Sequence, residues 1–162
     1  MNYTDINTEE KDKNVLDTFK KLLGLEHFGW KFGAIMVLIC SVIFIVVSIV
    51  CIVLGASVPQ GQTSVDLVGV GGIVMGVVYL CVSLTALLPA AIICFIMIKK
   101  VEYYQSTIDT DINIARKRCT SVGMMVFCIL FNTIAAVFFI INFVKTKNNA
   151  EAFDRIAERQ KN

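Results

Sequence analysis

Few residues in this chain could do chemistry, and their spacing argues against most reactions. The only histidine is His27, beside Glu26. One imidazole with one carboxylate lacks the nucleophile and the orienting third group of a hydrolytic set, so His27 is read as an interface residue. The six cysteines are Cys40, Cys51, Cys81, Cys94, Cys119 and Cys128. Their spacing fits no metal motif, and they are read as small, soft packing residues. Asp109 and Asp111 fall where a turn is expected and suit caps. Two carboxylates supply too few oxygens for calcium. The glycines at 69, 71, 72 and 76 sit in an apolar run with no Lys-Ser/Thr after them, so they form no phosphate loop. Asn132 is the one strongly polar side chain deep in an apolar run. It can hydrogen-bond between helices or line a pore. No second polar residue extends it into a path, so packing is the expectation. No enzyme, cofactor, metal or small-molecule substrate is expected.

The elements that carry these residues dominate the composition. Residues 33–56, 67–98 and 120–144 contain no Asp, Glu, Lys, Arg or His. Each exceeds the roughly 20 apolar residues that cross a ~30 Å hydrocarbon core. Mean hydropathy is +0.71, and 17% of the residues are charged, against about 25% in soluble domains. A soluble globular protein is excluded. The net charge of +2 is too small to point to nucleic acid. The expectation is an all-α membrane protein with three transmembrane helices in one bundle. The first run lies behind a charged segment and lacks a signal-cleavage pattern, so it is read as a retained span. Neither end matches a lipidation pattern.

Residues 1–13 are polar and without period, which predicts a flexible tail. Asn14 and Asp17 resemble a capping box, predicting an amphipathic helix over 14–32. Val15, Leu16, Phe19, Leu22 and Leu23 share one face, and Phe28, Trp30, Lys31 and Phe32 follow. Phe19, Phe28, Trp30 and Lys31 are the expected membrane-interface residues. The alternative is that this face docks on a partner helix. Residues 57–66 form a loop. The run 67–98 reaches ~48 Å at 1.5 Å per residue, which predicts one long helix that tilts or projects. Pro89 should bend it and free the carbonyl of Thr85. Residues 99–119 read as a helical hairpin turning at Ser106 to Thr110, with Thr110 as cap. The polar tail, 145–162, holds a short helix capped by Asn148, with Glu151 and Arg155 as a pair.

Small or polar residues recur every seven positions in each run. They are Ala34, Ser41, Ser48 and Gly55; Gly69, Gly76, Ser83 and Ala90; and Ser121, Cys128, Ala135 and Asn142. Gly72 adds a close-approach pair with Gly76. Membrane helices associate through such seams. Here they either pack the spans together or dock another copy or another membrane subunit.

Lysine and arginine counts orient the chain. The segment before the first run has Lys11, Lys13, Lys20, Lys21 and Lys31, and the hairpin has Lys99, Lys100, Arg116, Lys117 and Arg118. The 57–66 loop has none. The N-terminus and the hairpin are therefore expected in the cytosol, in an inner or plasma membrane. Three crossings put the tail outside, where Lys145, Lys147, Arg155, Arg159 and Lys161 conflict with the rule. Either one run does not cross fully, or a partner holds the tail.

Leu88-Pro89, the run Ala90–Ile98 with Lys99, and the hairpin to Arg118 resemble small bacterial multipass membrane proteins of unknown function over residues 67–144. The resemblance implies this topology and no activity. The functional expectation is a non-catalytic membrane subunit or adaptor that docks protein partners in the bilayer. The alternatives are an oligomeric pore-former or permeability factor, and an immunity protein that blocks a membrane-active toxin.

Overall fold

The computed structural model describes residues 3–58 and 63–161, and these are helical apart from short connections. The elements are α1 (Tyr3–Ala56), α2 (Thr63–Val82), a π-helical turn (Ser83–Leu87), α3 (Leu88–Thr107), α4 (Ile112–Cys119), α5 (Val122–Phe131), α6 (Thr133–Asn148) and α7 (Ala150–Lys161). Two helical stretches, Asn7–Ala56 and Val68–Thr107, are long and apolar enough to cross a membrane. The chain divides into an apolar unit, Ala34–Ile93, and a charged unit formed by Met1–Gly33 with Cys94–Asn162.

The apolar unit is an antiparallel helical hairpin, and the seven-residue seams hold it together. Gly55 meets Gly69: a Cβ on Gly55 would lie 2.6 Å from the Gly69 carbonyl oxygen. One turn on, Gly72 lies against the Cys51 carbonyl. Further along, the Ser48 hydroxyl donates to the Gly76 carbonyl at 2.6 Å, and Phe44 packs edge-on to Tyr79. Ser41 and Ser83 share a hydroxyl hydrogen bond of 2.9 Å. Each seven-residue step down α1 thus meets a seven-residue step up α2. The seams are used within the chain, because glycine and serine let two backbones approach closely. The outward faces are apolar and exposed, with Val42, Val46, Val53, Val70 and Val74 among them.

Proline explains the π turn. Pro89 has no N–H, and its ring crowds the carbonyl four residues back, that of Thr85. The chain widens there instead of kinking sharply. The Leu88 N–H reaches back to the Ser83 carbonyl, and the Thr85 hydroxyl donates to Cys81 O at 2.7 Å. The extra residue moves the buried stripe on by one. Ala91 is buried, and Ala90, the position expected from strict sevens, is only half-buried.

In the charged unit three sequence expectations change. Residues 3–13 are the start of α1 and not a flexible tail, and no cap or break occurs at Asn14. Gly24 costs a helix only about 1 kcal/mol, which the buried Leu22 and Leu23 beside it outweigh. The hairpin turns later than expected. Asp111, not Thr110, caps α4, accepting from the Asn113 N–H at 2.9 Å. The third change is the largest. The run 120–144 is not one helix but two, broken at Asn132, whose extended backbone (φ −157, ψ 94) ends α5 and starts α6.

The break is a reversal. Asn142, on α6, donates to the Cys119 sulfur at 3.5 Å, so α6 has returned to the end of α4, from which the chain enters α5. Along the way Ala135 packs against Gly29, where a Cβ would lie 3.0 Å from the Ala135 backbone. At 1.5 Å per residue, α5 and α6 reach ~15 and ~24 Å, each short of a ~30 Å core. In α7, Phe153, Ile156 and Ala157 are buried.

Candidate functional site

The sequence alone does not reveal the most unusual feature of the charged unit. Glu26 and Arg118 form a bidentate ion pair with both side chains buried. One guanidinium nitrogen donates to Oε2 at 3.0 Å, and the other donates to Oε1. Trp30, one helical turn from Glu26, donates its indole N–H to the same Oε1 at 3.3 Å. The guanidinium lies over two rings, 5.1 Å from the centroid of Tyr104 and 5.4 Å from that of Phe139. Burial opposes the charge on Arg118, but hydrogen bonding and the negative charge of Glu26 overcome it and raise its pKa. A buried charge survives only when paired in this way. The positioning comes from four elements. α1 supplies Glu26 and Trp30, α3 supplies Tyr104, α4 carries Arg118 in its last turn, where a helix C-terminus favours cations, and α6 supplies Phe139.

A second charged cluster joins the two ends of the chain. Asp12 is buried on α1 and accepts from Arg155 on α7 at 2.7 and 3.1 Å. Arg159 also donates to it. Hydrogen bonding to Arg155 is the main reason the Asp12 carboxyl is held below the usual carboxylate range. The Asp12 contact takes the place of the expected Glu151–Arg155 pair.

The expected site residues fall in both units. Ser41, Ser48, Gly69, Gly72, Gly76 and Ser83 lie in the apolar hairpin seam described above. Cys128 is buried in α5. Asn132 is buried where α5 meets α6. Its side-chain oxygen caps α6 through the Ala135 N–H at 3.0 Å, and its amide nitrogen donates to the Gly29 carbonyl at 2.9 Å. Of the four expected interface residues, Phe28 and Lys31 are exposed. Phe19 and Trp30 are buried, Phe19 edge-on to Phe153 and Trp30 beside Phe127. These two rings are core residues of the protein, because α6 and α7 fold back over the face that was read as interfacial.

Little here resembles a reaction centre. Burial pushes the Cys119 thiol up to about 12, so it stays a thiol and not a nucleophile. His27 faces Glu102, 3.4 Å away, and burial is the main cause of its lowered pKa. Among the described residues no group of three or more His, Cys, Asp or Glu could hold a metal ion. The chemistry on display is electrostatic pairing that fixes helices to one another. No known protein family, curated protein or solved structure matches this chain.

Proposed function

We propose that this protein is a non-catalytic membrane adaptor, anchored by a two-span hairpin and carrying a helical charged unit on the cytosolic side. One observation carries the reading. All the lysines and arginines lie in residues 1–33 and 94–162, and none lies in 34–93. The apolar unit is a hairpin, so both its ends leave from the same end. Two crossings then keep every Lys and Arg on one side, and the loop around Ser57 on the other, in accord with the positive-inside rule. The reversal at Asn132 supports this layout over three spans, and it removes the conflict of a cationic tail placed outside. Residues 120–144 form a re-entrant helical hairpin whose outer face carries Val122, Val126, Leu130, Val137 and Val144, all exposed.

Because the seams are occupied within the hairpin, partners dock on the charged unit and not on the seams. The same occupancy speaks against a pore, since Ser41, Ser48 and Ser83 are buried and hydrogen-bonded. The test is impermeant maleimide labelling of single cysteines in a cysteine-free chain in intact cells. Ser57→Cys should label, and Lys13→Cys and Glu158→Cys should not. Labelling of Glu158→Cys together with Ser57→Cys would restore three crossings. Capture of the labelled chain in mild detergent then tests the adaptor. A reproducible stoichiometric partner, lost on charge reversal of exposed Lys117 and Glu158, is expected. A homogeneous self-oligomer that conducts ions would favour the pore.

A further inference from the structure

The charged unit contains a cleft of about 540 Å³ bounded by the first turns of α1, the end of α6 and the start of α7. Asn142 and Thr146 are one helical turn apart on α6, and both line it. Each is only 1% exposed. The Asn142 amide nitrogen is engaged by Cys119, but its Oδ1 has no hydrogen-bond partner among the described residues, and neither does the Thr146 Oγ1. Buried polar atoms are almost always paired, and each exception asks for a cause. Phe19, Leu22 and Phe153 supply an apolar wall beside them. Such a wall with a few convergent polar groups is the usual make-up of a small-ligand site, and the volume is in the usual range.

The lining carries charge of both signs, so a charged ligand of either sign is set beside like charge. An anion would face Glu10 and the C-terminal end of α6, the negative end of that helix. A cation would face Lys11 and Lys145, which also line the cleft. A hydroxyl group meets both orphans, donating to Asn142 Oδ1 and exchanging a hydrogen bond with Thr146. We propose that the cleft binds an uncharged, hydroxyl-bearing ligand whose carbon skeleton lies on Phe19, Leu22 and Phe153. Either a free polyol or sugar, or the hydroxylated head of a neutral lipid, offers this chemistry.

The test uses the full chain in an amine-oxide detergent, which carries no hydroxyl, and in phosphatidylcholine nanodiscs. Methyl glucoside is titrated calorimetrically in detergent. A photoactivatable monoacylglycerol is crosslinked in nanodiscs and its adducts are mapped. Binding of methyl glucoside assigns the free source, and crosslinking at Phe19 or Phe153 without it assigns the lipid head. In either case Thr146→Val should weaken binding about tenfold, the effect of one lost hydrogen bond. It should leave the unfolding midpoint unchanged or raised, since the hydroxyl it removes has no partner in the protein. The proposal fails if neither probe binds, if Thr146→Val binds like the parent, or if that variant is destabilised. It also fails if methyl phosphate or methylammonium binds as tightly as the neutral probe.

Discussion

At the scale of single residues, the charged unit depends on charges removed from water. Glu26 and Arg118 neutralise each other, so removing one strands the other. Glu26→Gln should destabilise the protein by about 3–5 kcal/mol, the cost of an uncompensated buried charge. Pairing Glu26→Gln with Arg118→Met should recover most of that loss, since no uncompensated charge then stays buried. Denaturant unfolding followed by Trp30 fluorescence would check both, and additive losses would show that the pair is not coupled. Asp12 gives a pH signature. Its folded pKa is lowered, so its stabilising contribution is complete above the unfolded carboxylate value of about 3.9 and fades as pH falls through the lower folded value. Protection of the α7 amides, measured against their intrinsic exchange rates, should therefore fall below about pH 4. In Asp12→Asn, α7 should exchange fast already at pH 7. Neither pair was legible in the sequence. Glu26 and Arg118 are 92 positions apart, and each looks like an ordinary juxtamembrane charge until α6 folds over it.

Among elements, the seam of the apolar hairpin was legible and its partner was not. Glycine and serine at steps of seven in two runs fit mutual packing and outside docking equally well. Only the meeting of Gly55 with Gly69, Ser48 with Gly76 and Ser41 with Ser83 decides between them. Gly76 is a strict position. A Cβ there would lie 2.8 Å from the Ser48 carbonyl oxygen and 2.5 Å from Ile52, and a backbone carbonyl cannot move aside cheaply. Gly76→Ala should cost about 1–3 kcal/mol from overpacking, despite alanine's better helix propensity. Gly71 is the internal control, with nothing within 4 Å of its would-be Cβ. Gly71→Ala should stabilise by up to about 1 kcal/mol through propensity alone. Thermal unfolding of both variants in one detergent checks the contrast, and equal effects would mean that the seam is looser than described. The one-residue shift after Ser83 was out of reach, although Pro89 marked where the helix would be disturbed. A proline announces a perturbation but not whether the chain kinks or widens.

For the whole molecule, the proposed two-crossing topology turns on one polar residue in the run 120–144. Length and hydropathy read that run as a span, because neither measure registers a reversal. The available signal was Asn132 itself. Asparagine is among the best N-caps, and here Thr133 and a new helix follow it. Two interactions hold the turn, the cap on Ala135 and the bond to the Gly29 carbonyl. Together they contribute about 2 kcal/mol. The charges of the tail add a second restraint, since carrying Lys145, Lys147, Arg155, Arg159 and Lys161 across opposes the positive-inside bias. The two restraints should be separable. Asn132→Leu alone makes the run continuous but leaves the tail cationic, so Glu158→Cys should stay shielded from an impermeant label while the protein loses stability. Asn132→Leu with Lys145→Gln and Lys147→Gln weakens both restraints. A fraction of the chains should then thread the run across, and Glu158→Cys should label partly from outside. Full shielding in the combined variant would mean that the fold of the charged unit, not the turn and the nearby lysines, keeps this run on its own side.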